Sequence, residues 1–71
     1  MSAQPKSQRH SRAENYRELA RQAREMIPLY TAQAERFEKH GDAQIAAEYR
    51  QLASEAMGRA ERYMVLAGDS N

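Results

Sequence analysis

The sequence predicts an all-α fold: an antiparallel helical hairpin, kinked near Pro28 in its first helix, that pairs with a second copy into a four-helix bundle. Three observations lead there. Alanine, glutamate, arginine, glutamine and leucine dominate, and β-branched residues are confined to Ile27, Thr31, Ile45 and Val65. Two long periodic segments flank one polar break, His40-Gly41-Asp42. The periodic positions also mirror each other across that break. Phe37, Gln33, Tyr30, Met26, Ala23, Leu19 and Tyr16 precede Gly41. Ile45, Tyr49, Leu52, Ala56, Arg59, Tyr63 and Leu66 follow it, and each pair of numbers sums to 82. Steps of four and three mark one stripe of a supercoiled helix, so a fold at Gly41 is expected to zip two helices together in seven layers.

Taken in order, residues 1–11 are polar, contain Pro5 and lack periodicity, which predicts a mobile basic tail. Ser11-Arg12-Ala13-Glu14 matches a capping box, placing the first helix at about 12–39. Pro28 lies inside it, lacks an amide proton and clashes with the Arg24 carbonyl. The register continues from Met26 to Tyr30, which favours a kink over a break. Gly41 suits a left-handed helix terminus. Asp42 is expected to cap a second helix spanning about 43–67. Gly68 ends that helix, and residues 68–71 are expected to fray. Residues 12–67 thus form the one domain.

A chain of 71 residues without cysteine has no disulfide or thiolate-metal staple. Small scaffolds lacking both usually gain support from a second copy. The formal charge of +1 argues against a strongly basic nucleic-acid binder. Lys6, Arg9 and Arg12 nevertheless cluster without acids, leaving the remainder at −2. No run approaches the roughly 18 apolar residues of a membrane span, and the first residues carry no apolar signal segment. The expected setting is cytoplasmic, without membrane contact.

The mirrored layers place Tyr16 opposite Leu66, Leu19 opposite Tyr63, Met26 opposite Ala56, Tyr30 opposite Leu52 and Phe37 opposite Ile45. The four tyrosines are expected in the core with hydroxyls at its edge. Gln33 and Arg59 are expected to reach outward from the seam. A second stripe on helix two, Ala53, Met57, Ala60, Met64 and Ala67, adjoins the first, while Ala20, Ile27 and Ala34 recur every seven residues on helix one. A lone hairpin does not cover both stripes. Ile27, Ala53, Met57, Ala60 and Met64 are therefore the candidate dimer interface, because alanine permits close approach and methionine adapts to irregular surfaces.

Chemistry is sparse. His10 stands in the tail and His40 at the hairpin tip near Glu38 and Asp42, where support for a metal is thin. A Glu-x-x-His metal motif would need glutamate where Phe37 stands. Ser54 has no nearby histidine, and glycines 41, 58 and 68 are isolated rather than gathered in a phosphate loop. No catalytic residue, metal or cofactor is expected. Arg12, Arg17 and Arg21 continue the basic tail of Lys6 and Arg9, and these five are the candidate contacts for a partner or nucleic acid. Interleaved Glu14, Glu18 and Glu25 undercut the phosphate-neutralising term.

In gross plan the two antiparallel helices and short turn resemble the plasmid-encoded RNA-binding hairpin dimers of the Rop type, although no functional motif carries over residue by residue. In size and composition the chain is also similar to small accessory proteins of phages and mobile elements, many of which bind and block a host protein. The expected function is a small non-enzymatic helical adaptor or inhibitor, homodimeric, that modulates another protein. The alternative is a nucleic-acid-binding hairpin dimer of the RNA-regulator type.

Overall fold

The computed structural model describes residues 4–68, with side chains from Arg12 onward. Two helices, α1 (Gln4–Lys39) and α2 (Ala43–Leu66), pack along their length as a hairpin. Its principal extents are 58 × 27 × 13 Å, one helix layer thick. Both broad faces of that layer are open.

Helix α1 starts earlier than the capping box implies. Ser11 lies inside it, and so do residues 4–10 of the expected tail. Pro5 falls in the first turn, where its missing amide costs nothing. No glycine or β-branched residue then interrupts the run to Ile27. The helix also continues through Pro28 without a break. Pro28 is exposed, so the Arg24 carbonyl that loses its amide partner lies on the outer side of α1 rather than in the seam.

The turn forms as its residues dictate. Gly41 has φ +85°. The Asp42 amide donates to the Phe37 carbonyl at 2.8 Å, and the Gly41 amide donates to Glu38 at 3.1 Å. Together these two bonds make a Schellman termination, which satisfies carbonyls that the end of α1 leaves open. Arg36 and Lys39 in the last turn complement the negative helix end. Asp42 occupies the N-cap of α2, but its side chain makes no capping hydrogen bond; its backbone carbonyl accepts from the Ala46 amide at 3.0 Å. Gly68, also at φ +85°, closes α2, with its amide on the Val65 carbonyl.

The seam is where expectation and structure part. The buried side chains among the described residues are Ala20, Ala23, Ala34, Ala46, Ala53, Ala56 and Ala60, all alanine. Leu19, Met26, Leu52 and Leu66, expected as core, are 39%, 36%, 38% and 54% exposed. Ring contacts show the register. Tyr16 stacks on Tyr63 with centroids 6.2 Å apart, instead of facing Leu66. Tyr49 sits between Tyr30 at 6.3 Å and Phe37 at 5.7 Å. The Tyr16–Tyr63 and Tyr30–Tyr49 numbers each sum to 79, while Phe37–Tyr49 sums to 86, so Tyr49 reaches two levels of α1. The side chains at the contact set the helix separation, and buried alanine methyl groups permit close approach. Larger side chains are displaced to the flanks.

Candidate interaction surfaces

Displacement from the seam creates two unlike faces. On the first, Arg24, Ile27, Met57, Ala60 and Glu61 line a shallow groove of about 240 Å³. Met57 is 51% exposed, whereas Ile27 and Met64 are half-buried. Helical spacing extends this face through Thr31 and Glu38 on α1 and through Arg50 and Met64 on α2. Glu38 accepts from the Arg50 guanidinium at 2.7 Å, an ion pair joining the helices near the turn.

On the opposite face, Leu19, Gln22, Ala23, Met26, Arg59 and Tyr63 line a groove of about 200 Å³. Seven-residue spacing adds Gln33 and Leu29 from α1 and Ile45, Leu52 and Leu66 from α2. The half-buried rings of Tyr16, Tyr30, Phe37, Tyr49 and Tyr63 form its floor. Of the mirrored positions on either side of Gly41, Ala23 and Ala56 are buried in the seam, the rings are half-buried beside it, and Leu19, Met26, Leu52 and Leu66 stand exposed on this face.

The residues expected at a dimer interface separate accordingly. Ala53 and Ala60 lie in the hairpin's own seam, their methyl groups buried against α1. Ile27, Met57 and Ala60 meet in the first groove, and Met64 packs against the cluster of Ala20, Ala23 and Ala60. A signal in the sequence could have found this seam. Ala20 with Ala60, Ile27 with Ala53, and Ala34 with Ala46 form their own mirrored set, one whose numbers sum to 80.

The basic candidates do not share a surface. The side chains of Lys6 and Arg9 lie outside the described residues. Arg12 falls in line with Leu19 and Met26, and Arg17 falls in line with Arg24 on the other side of α1. Arg21, on the outer flank, is bonded to both Glu18 and Glu25. Hydrogen bonds from Arg21 first, and from Gln22 second, hold the Glu18 carboxyl below the usual carboxylate range. Its partner, the Arg21 guanidinium, is raised above its ordinary value, chiefly by Glu18. Both groups are fully exposed, which makes the cluster an ordinary solvated ion network.

At the tip, His40 is exposed, and its backbone amide is shared between the Arg36 and Phe37 carbonyls at 3.2 Å each. Among the described residues no three histidine, aspartate or glutamate side chains gather as a metal site. No helix of the described residues is long and apolar enough to cross a membrane. Comparison with protein-family models, curated proteins and solved structures gives no match.

Proposed function

We propose that this chain is a small non-enzymatic helical interaction protein, an adaptor or inhibitor that modulates another protein through its helix faces and works as a homodimeric four-helix bundle. One observation carries the reading. Among the described residues the hairpin's own contact fully buries only alanine, while leucine, methionine and valine side chains stay in water on a layer 13 Å thick. Apolar faces of this extent are characteristic of interfaces. Two faces allow two kinds of contact: one with a second copy, the other with an external protein. Methionine and isoleucine between Arg24 and Glu61 suit an adaptable helix-in-groove contact, with the charges setting specificity more than affinity. Within the bundle, α1 bends at Pro28, where its hydrogen-bond ladder lacks one rung. A small accessory protein that blocks a cytoplasmic host protein is the biological role that fits best.

The test is photo-crosslinking in host lysate from a benzophenone side chain at position 57, read by mass spectrometry. A defined host protein is expected at position 57 and is expected to be lost when Glu61 and Arg24 are both reversed in charge. Recovery of this chain alone would remove the support for an external protein partner. The nucleic-acid alternative is tested by anisotropy titration with structured RNA at two salt concentrations. Tight binding that weakens steeply with salt would replace the protein-partner reading.

A further inference from the structure

The two open faces differ enough to assign one of them. We propose that the face carrying Leu19, Met26, Leu52 and Leu66 docks a second copy of this chain, related by a two-fold axis along the hairpin, and so closes the four-helix bundle. The proposal rests on the self-association reading above and specifies its surface. That surface is not the one that helix periodicity alone selects.

Three arguments favour a second copy as the occupant. The first is self-likeness. An isologous interface must match itself after rotation, so α1 of each copy meets α2 of the other. On this face both helices repeat apolar side chains at multiples of seven residues, Leu19 and Met26 on α1 and Ile45, Leu52 and Leu66 on α2. The second is area. The face runs the 24 residues of α2, about 36 Å, across two helices each about 10 Å wide, close to the roughly 800 Å² per partner of a stable interface. The third is charge. Arg36 stands on the α1 edge, seven residues after Leu29, and Glu48 stands on the α2 edge, one turn before Leu52. Neither has an ion pair among the described residues. Tyr49 lies between the levels of Tyr30 and Phe37, which puts Arg36 within about one turn of the height of Glu48. In one hairpin these two edges point apart. A two-fold axis along the helices lays the α1 edge of each copy over the α2 edge of the other, giving two Arg36–Glu48 pairs. On the opposite face Glu38 and Arg50 pair within the hairpin.

Sedimentation equilibrium over a concentration series tests the assignment. The wild type is expected to be a dimer. Leu52→Glu and Leu66→Glu are each expected to raise the dimer dissociation constant roughly tenfold or more. Met57→Glu, on the other face, is expected to leave it unchanged. Leu66 lies in the last turn, so its variant remains informative if Leu52→Glu loses helicity. Glu48→Arg is expected to weaken the dimer, and adding Arg36→Glu to restore it. A wild type monomeric at the highest concentration would overturn self-association itself. A dimer that Met57→Glu dissolves while Leu66→Glu does not would keep self-association and overturn the face. A double reversal no tighter than Glu48→Arg would overturn the two-fold placement.

Discussion

Leu19 and Ala20 are neighbours in the chain and opposites in the fold: the leucine is 39% exposed and the alanine fully buried. Leu52 and Ala53 repeat the contrast on α2. Hydropathy alone ranks the leucines as core. The structure ranks the residues by size instead: alanine methyl groups lie buried between the helices, and the leucines stand at the flanks. The alanine stripe is thus the internal adhesive of the hairpin, and the leucine-methionine stripe is its outward-facing capital. A small core of this kind removes little apolar surface from water, so the second stripe is where further stabilisation is to be found.

The contrast can be broken most severely with charge. Ala56→Glu puts an unpaired carboxylate into a fully buried site and is expected to cost roughly 3 kcal/mol or more, enough to abolish the helical circular dichroism signal. Leu52→Glu, measured in dilute solution, is expected to keep most of that signal. Size sharpens the contrast next. Ala60→Leu forces the helices apart and is expected to destabilise by about 1–3 kcal/mol in urea titration, although it adds apolar surface. Glycines give smaller effects of opposite sign. Gly41→Ala meets no atom within 4 Å yet must hold φ +85°, so a loss of about 1 kcal/mol is expected. Gly58→Ala, inside α2 with open space around its added methyl, is expected to gain about 0.5–1 kcal/mol. The smallest effect lies away from both stripes. Glu18 has a lowered pKa in the folded chain, so its stabilisation is complete above the unfolded carboxylate value and fades as pH falls through the folded value. A small melting-temperature advantage over Glu18→Gln is therefore expected at neutral pH, disappearing in acid.

Much of the fold was legible in the sequence. The helix formers, the glycine at the turn and the mirrored spacing are local signals, and they led to two helices joined at residues 40–42. Arg21 and Glu25 stand at i, i+4 spacing and pair at 2.5 Å. The seam was not legible from the stripe of large residues, because two overlapping seven-residue repeats compete for it and hydropathy favours the wrong one. Packing between the helices decides between them, and it buries the alanines. The alanine repeat held the answer once its shorter mirror was noticed. Residues 4–11 were read as a tail because they lack apolar periodicity, yet a continuous helix needs no apolar face where no breaker stands. For the surfaces, the stripes themselves were readable, but which of them faces outward depends on the seam and inherits its ambiguity.

The most direct test uses the absence of native cysteine. Single variants Leu52→Cys and Ala53→Cys place a thiol on adjacent positions of the two stripes, and their alkylation rates are compared in dilute and concentrated solution. Cys at position 53 is expected to be protected at both concentrations, and Cys at position 52 to react freely when dilute and slowly when concentrated. Free reaction at position 53 with protection at position 52 in dilute solution would contradict an alanine seam and restore the leucines to the core.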